Sequence, residues 1–439
     1  MAEQTDITHK RVLRVAVPIV ISTATVPILG AVDTGVVGQM GEAAPIGAVG
    51  IGAIILGAIY WMFGFLRMGT VGLTAQAVGQ GDRAELHALL TRVLLIGFTA
   101  GLVLIAIQVP LFAGAFLVAP ASAEVEALAT GYMQIRIWSA PAAIAIYGIT
   151  GWLIAQERTR EVLILQLWMN GLNAGLDFWF VLGLGWGVEG VALGTFIAEW
   201  SGALLGLWFC RMGFAGTAWR DWARIFDKTR LKVIFAVNRD ILIRSLLLET
   251  IIVSFMFLGS DFGDVTLAAN QVLLQFLMIS ASALDGFAFA AEALVGKTVG
   301  ARDRQALRRA SVLSSLWGIT LNGLIALGLA LGGPALIDLM AKAPEVQEAA
   351  RAYLPWVVAV AILGVPGWML DGIFAGATRT RDMRNMMVVS FLIYWVLVAI
   401  VIGPLANHGL WFALLIAFIS RGVTLGLLYP SLERMAERA

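Results

Sequence analysis

Charged residues are scarce in this chain: they make up 13% of its 439 residues, about half the share found in a typical soluble domain. The single cysteine, Cys210, excludes an internal disulfide, and the three histidines lie at helix ends or in loops without the spacing of a metal site. No nucleotide-binding glycine loop, nucleophile elbow or base-reading basic motif is present. We therefore expect no enzymatic activity, no cofactor and no binding of nucleic acid, and a membrane-embedded enzyme is the least favoured class.

Apolar residues dominate instead, at 59% of the sequence. They form runs of about 20 residues along the whole chain, each long enough to cross a hydrocarbon core of about 30 Å. The pattern predicts an all-α integral membrane protein with twelve transmembrane helices. The approximate bounds of the twelve segments are 12–38, 46–77, 88–118, 127–155, 162–184, 188–210, 232–258, 265–296, 309–332, 350–377, 386–404 and 408–430.

The positions of the positive charges support this number of helices. Most of the 30 Lys and Arg residues fall in alternate connections, whereas the connections on the other side hold only Lys342. This bias follows the positive-inside rule if both termini are cytoplasmic. The N-terminus also lacks a signal-peptide pattern, so the first helix would direct insertion. The sequence predicts a multi-pass protein of the inner (plasma) membrane.

The chain contains an internal repeat. The octapeptide at 79–86 resembles that at 300–307, and the Arg-Thr-Arg triplet at 158–160 recurs at 379–381, each about 221 residues later. Each half holds six predicted helices, an even number, so the halves should share one orientation and be related by an axis along the membrane normal. The predicted divisions are an N-terminal lobe, a cytoplasmic linker and a C-terminal lobe: 1–210, 211–231 and 232–439.

Two aspartates interrupt predicted helices of the first half, Asp33 in the first and Asp177 in the fifth. An ionised carboxylate at the centre of a bilayer costs roughly 3 kcal/mol and usually marks the path of an ion or a substrate. Asn173 and Asn170 precede Asp177 by about one and two helical turns, which puts all three side chains on one face of the fifth helix. This polar face predicts a partner or a water-filled cavity.

The two aspartates share a depth with Thr195 of the sixth helix. Counted from the outer helix ends, all three lie roughly 8–10 Å into the membrane. We therefore predict one cation-coupling site made of Asp33, Asn173, Asp177 and Thr195. Their oxygens could hold Na⁺, and the two carboxylates could carry a proton instead, so the coupling ion stays open between H⁺ and Na⁺. The alternative is a hydrogen-bond network that only fixes helix packing.

Two prolines, Pro18 and Pro27, lie in the first helix together with Asp33. Each proline removes a backbone hydrogen bond and should kink the helix. Either the helix bends during function or the kink is static, as is common in membrane helices.

The second half has polar residues within its own predicted helices. One face of the eighth helix carries Gln271, Gln275, Ser282, Asp285 and Glu292. Asp371 and Glu292 are nearer the cytoplasmic end, where they could instead pair with Arg379 or Lys297. The candidates for lining a substrate cavity are Asn170, Glu249, Gln271, Gln275, Asp285 and Asp371.

Several motifs resemble the multidrug and toxic compound extrusion (MATE) family, in particular its DinF-like branch. They are Pro18-x14-Asp33-Thr-x3-Gly38-x2-Gly41 in the first helix, Asn173-x3-Asp177 with Thr195, the stretch 283–297 in the eighth helix and 371–378 in the tenth. The resemblance covers essentially the whole chain. One departure is that the first helix carries Thr23 and Thr25 but no Asn or Gln before Asp33.

The resemblance implies two six-helix lobes in a V-shaped fold. It also implies alternating access, with export of drug-like, cationic or amphipathic compounds in exchange for H⁺ or Na⁺, and bending of the first helix when the acids bind the cation. The expected partners are small-molecule substrates and the lipid bilayer, and we expect a monomer. A lipid-linked precursor flippase and an organic-anion exporter are the alternatives. The acidic intramembrane charges argue against the flippase, and Arg67, Arg136 and Arg244 are the residues that would reverse this preference.

Overall fold

The computed structural model describes residues 6–39, 43–118 and 120–438, except for the side chains at 26–28, 31, 34, 43 and 438. Gly41 of the first-helix motif and the side chain of Pro27 therefore lie outside the described part. Within the described residues every regular element is a helix. The longer helices are α1 (His9–Gly38), α2 (Ala43–Trp61), α3 (Gly64–Gln80), α4 (Arg83–Ala106), α5 (Gln108–Val118), α6 (Ala123–Arg136), α7 (Ala140–Ala155), α8 (Thr159–Asp177), α9 (Gly187–Phe209), α10 (Lys228–Ser260), α11 (Asp264–Gly300), α12 (Arg304–Met340), α13 (Pro344–Leu363), α14 (Val365–Gly376) and α15 (Thr380–Arg438).

These helices account for the twelve predicted segments. Among the described residues, nine helical stretches are long and apolar enough to cross a membrane. The long α15 contains the last two predicted segments, and α1 and α8 are the helices that carry Asp33 and Asp177. Several segments consist of two helices with a short break between them, namely α2–α3, α4–α5, α6–α7 and α13–α14. The predicted all-α membrane fold is confirmed.

The chain divides into two compact units, which we name after the half that supplies most of their residues. The N-terminal unit comprises Ala24–Thr70 and Asp82–Leu231; the C-terminal unit comprises Met1–Thr23, Val71–Gly81 and Lys232–Ala439. Helix α1 thus contributes residues to both units. The lobe boundaries that the repeat predicts stay a prediction, because contact-based units and sequence repeats need not end at the same residues.

The N-terminal unit is packed around apolar side chains of α2, α4, α6, α7 and α9. Small residues allow α4 and α7 to approach closely. A Cβ atom at Gly97 of α4 would lie 3.0 Å from the Cα of Ala145 in α7. Close backbone approach at small residues stabilises helix pairs in membranes, where the surrounding lipid is as apolar as the side chains.

The C-terminal unit is packed around buried apolar residues of α10 to α13 and α15, with Trp368 of α14 against them. Helix α15 is broken at Ala406, whose backbone is in a non-helical conformation (φ 47°, ψ −130°). Next to the break, Asn407 exchanges side-chain hydrogen bonds of 2.8 and 3.0 Å with Asn270 of α11, and Trp411 donates another of 2.9 Å to Asn270. These buried bonds fasten the part of α15 that follows the break to α11.

The predicted linker is fastened to α4 of the N-terminal unit. It forms short helical turns at Arg211–Phe214, Ala218–Arg220 and Trp222–Ile225. The buried Arg92 donates to the carbonyl oxygens of Arg224 (2.6 Å) and Ile225 (2.9 Å) and pairs with Glu85 at 2.5 Å. The linker is thus held by the buried guanidinium of Arg92.

We expect Arg92→Ala to release this linker. Removing one partner of a buried ion pair costs about 3 kcal/mol, and about 1.4 kcal/mol corresponds to a factor of ten. Trypsin should therefore cleave within 211–231 at least tenfold faster in the variant. The matched control is Arg158→Ala, which removes a half-exposed pair with Glu161 and should leave the cleavage rate unchanged. Equal cleavage in both variants would contradict the role of Arg92.

Candidate functional site

Asp33 of α1 and Asp177 of α8 meet in the interior of the N-terminal unit. Their carboxyl groups lie within hydrogen-bonding reach of each other, and Asp177 is completely buried. Asp177 is the last residue of α8 before the chain continues as a π-helical turn at Phe178–Gly183. Single π-turns inside membrane helices frequently occur at functional sites.

Asn173 connects the acid pair to α9. In the orientation that satisfies both ends of its amide, its Nδ2 donates to Asp33 Oδ1 at 3.1 Å. Its Oδ1 then accepts from the hydroxyl of Thr195 at 2.9 Å and from the backbone N–H of Thr195 at 3.2 Å. The structure thus brings together the four residues that the sequence assigned to one site, from three different helices.

A glycine gives Asp177 its space against α9. A Cβ atom at Gly194 would lie only 2.5 Å from Asp177 Oδ1. One turn earlier, a Cβ at Gly190 would lie 3.1 Å from the Cβ of Phe180 in the π-turn. The two glycines therefore allow α9 to pack directly against the end of α8 and its carboxylate.

The acid pair has few hydrogen-bond donors. Within the described part of the chain, no group donates a hydrogen bond to either oxygen of Asp177. Arg136 at the end of α6 lies within electrostatic range of both acids, but its guanidinium binds Glu199 of α9 at 3.2 Å. Neither Arg136 nor Glu199 was among the predicted site residues. Arg67 lies within electrostatic range of Tyr147.

Asn170 joins α8 to α1 at a second level. Its Nδ2 donates to Thr25 Oγ1 at 2.9 Å, and its Oδ1 accepts from Gln166 at 2.9 Å. Thr25 and Asp33 of α1 are both bonded to α8, and they lie on either side of Pro27. The backbone of α1 is helical through Pro18 and Pro27, and the bending role of both prolines stays a prediction.

The candidates in the C-terminal unit fall into two groups. Glu249, Gln271 and Gln275 are exposed, and their role in lining a cavity stays a prediction. Asp371 is buried, and the proposed pairing with Arg379 is wrong because Arg379 binds Asp382.

Asp371 instead binds Arg244 and lies 3.6 Å from Arg421. The sequence could not show this, since the three residues lie on α10, α14 and α15. Asp285 of α11 is half-buried and lies within electrostatic range of Arg421.

Comparisons with known proteins agree with the architecture. The MatE family model matches twice, at residues 18–179 and 241–401, as expected for a repeat. DNA damage-inducible protein F of Escherichia coli strain K12 is 35% identical, with 96% of this chain and 92% of that protein covered. A probable multidrug resistance protein NorM of Bradyrhizobium diazoefficiens is 26% identical, with 90% and 86% covered.

Solved structures have the same fold. A MOP superfamily transporter from Pyrococcus furiosus, described as having a binding pocket of reverse polarity, has a TM-score of 0.88 at 17% identity, covering 98% of this chain and 97% of that one. An outward-facing multidrug resistance MATE transporter has a TM-score of 0.87 at 17% identity, with the same coverage. At this identity the likeness establishes the fold alone.

Proposed function

Because the chain belongs to the MatE family, within its DinF-like branch, we propose that it is a cation-coupled antiporter that exports drug-like, cationic or amphipathic compounds by alternating access. The observation that supports this most is the carboxyl pair formed by the half-buried Asp33 and the fully buried Asp177. The pair concentrates negative charge inside a multi-pass membrane protein, where an uncompensated charge has a high free-energy cost. The relatives named for multidrug resistance support the substrate class. We place the protein in the plasma membrane with both termini cytoplasmic.

We propose H⁺ as the coupling ion. Asn173 donates to Asp33, which suits an ionised Asp33 carboxylate. Asp177 has no donor among the described residues and has the Asp33 carboxyl within reach. A proton on Asp177 would therefore form the missing hydrogen bond to Asp33. In the amide orientation that satisfies both ends of Asn173, its side-chain oxygen faces Thr195 and is directed away from a Na⁺ ion bound between the acids.

Competition for one negative charge then links proton and drug. When the shared proton leaves toward the cytoplasm, two carboxylates remain side by side and repel each other. The cationic group of a drug relieves that repulsion, and a proton from outside displaces the drug in turn. A ligand that binds one conformation better shifts the protein toward it, so the two occupants favour different conformations. Asn170 and Asn173 hold α1 on both sides of Pro27, which is where a change at Asp33 would bend the helix.

Proteoliposomes with one imposed gradient at a time test this function. With ethidium as the cationic probe, we expect export driven by ΔpH and no export driven by ΔpNa alone. Drug addition should release protons in the absence of Na⁺. If only ΔpNa drives export, the coupling ion bound by these oxygens is Na⁺ and not H⁺. If neither gradient changes the export rate, antiport is contradicted.

A further inference from the structure

The two halves carry opposite charges at one position of their last helices. Phe-Ile-Ala-Glu at 196–199 of α9 corresponds to Phe-Ile-Ser-Arg at 418–421 of α15. Glu199 and Arg421 therefore occupy equivalent places in the repeat. In the N-terminal unit Glu199 binds Arg136, whereas in the C-terminal unit Arg421 faces the carboxylate of Asp371. The interiors of the two units thus have reversed polarity at this level.

Arg421 is the centre of a buried group that we call the arginine cluster: Arg244, Asp371 and Arg421. Arg421 is 1% exposed, and its guanidinium lies over the rings of Trp368 (4.7 Å) and Phe418 (5.4 Å). Asp371 Oδ2 accepts a hydrogen bond from Arg244 and lies 3.6 Å from Arg421 NH1. One carboxylate therefore serves two guanidinium groups.

The arginine cluster has more hydrogen-bond donors than acceptors. In the described part of the chain, Arg421 Nε, NH1 and NH2 and Arg244 Nε have no acceptor, whereas the only cluster oxygen without a donor is Asp371 Oδ1. Asp285 adds negative charge within range of Arg421 but accepts no hydrogen bond from these four nitrogens. An arginine does not lose its proton in proteins, so burial cannot neutralise it. The arginine cluster therefore lacks anionic oxygen atoms to accept hydrogen bonds from its guanidinium groups.

We propose that the arginine cluster binds the carboxylate of a transported substrate. Two coplanar carboxylate oxygens match the fork of a guanidinium, and the aromatic rings hold that fork in one plane. This inference rests on the proposed function and narrows it. The exported compounds then include zwitterions, whose carboxylate binds the arginine cluster.

A matched pair of ligands tests the proposal: a zwitterionic fluoroquinolone and its methyl ester, which lacks the carboxylate charge. Equilibrium binding to the purified full-length protein should favour the acid over the ester by about tenfold, as expected for a charge-assisted hydrogen bond in a buried site. In Arg421→Gln the acid should lose this advantage while the ester keeps its affinity. Arg421→Lys should retain only part of the preference, because it keeps the charge without the fork.

Controls separate a binding role from a structural one. Arg351→Gln removes an exposed ion pair with Asp338 and should leave the acid-to-ester ratio unchanged. If Arg421→Gln does not fold, Arg421→Lys and Arg244→Gln give the same comparison. The proposal is overturned if the wild type does not favour the acid, or if a folded variant loses affinity for both ligands equally. Export of ethidium driven by ΔpH is unaffected by these outcomes, and its absence would instead contradict the proposed function.

Discussion

Asp33→Asn and Asp177→Asn are each expected to reduce ΔpH-driven export of ethidium to the level of empty vesicles. Asparagine keeps the size of the side chain but can neither take up nor release a proton at physiological pH. In Asp177→Asn the new amide can also donate a hydrogen bond to the Asp33 carboxylate, which receives none from wild-type Asp177. This variant should therefore fold at least as well as the wild type. Loss of transport would then report loss of the exchangeable charge. The measurement is the initial export rate at a fixed ΔpH, together with drug-induced proton release.

A control aspartate outside the pair checks that charge loss in general is not the cause. Asp338→Asn removes an acid that is 45% exposed and paired with Arg351, and it should export at the wild-type rate. All variants are compared at equal amounts of monodisperse protein in the membrane. Full efflux and full proton release in both Asp33→Asn and Asp177→Asn would show that the coupling site lies elsewhere.

Helix depth was enough to predict the members of the candidate site. Asp33, Asp177 and Thr195 lie at one distance from the outer helix ends, and helix periodicity puts Asn173 on the same face as Asp177. Such counting works because membrane thickness fixes where each residue of a spanning helix can lie.

Side-chain partners across helices could not be predicted in the same way. Arg136 and Glu199 pair across α6 and α9, and no sequence period relates them. A signal for Glu199 was nevertheless present, because its repeat partner Arg421 carries the opposite charge. Chain proximity suggests Arg379 as a partner for Asp371, whereas helix packing brings Arg244 and Arg421 to it.

The breaks within predicted segments had partial signals. Pro141 and Pro366 stand at the start of α7 and α14, where a helix tolerates proline because the first N–H groups have no partner. Both segments read as continuous apolar runs, and hydrophobicity alone does not report a helix end. The π-turn after Asp177 had no such signal, since Phe178–Gly183 is an ordinary apolar sequence.

Gly194→Ala is expected to lower ΔpH-driven export by about tenfold without removing any charged or polar group. The added Cβ would lie 2.5 Å from Asp177 Oδ1, a distance that forces the carboxylate to move. Overpacking of this kind costs about 1–3 kcal/mol, and about 1.4 kcal/mol corresponds to a factor of ten. Because the carboxylate is the end of a short side chain, its displacement changes the distance between the carboxyl groups of Asp177 and Asp33. Drug-induced proton release should decrease in parallel with the export rate.

The matched control is Gly175→Ala in α8, two residues before Asp177. A Cβ there meets no atom within 4 Å, so the same change of residue adds no contact to the acid pair. Export and thermal stability should both stay at the wild-type level in the control, while Gly194→Ala loses export and is destabilised by no more than the overpacking cost of about 1–3 kcal/mol. If the two variants export alike, close packing of α9 against Asp177 does not set the geometry of the pair, and the coupling would depend on the two carboxyl groups alone.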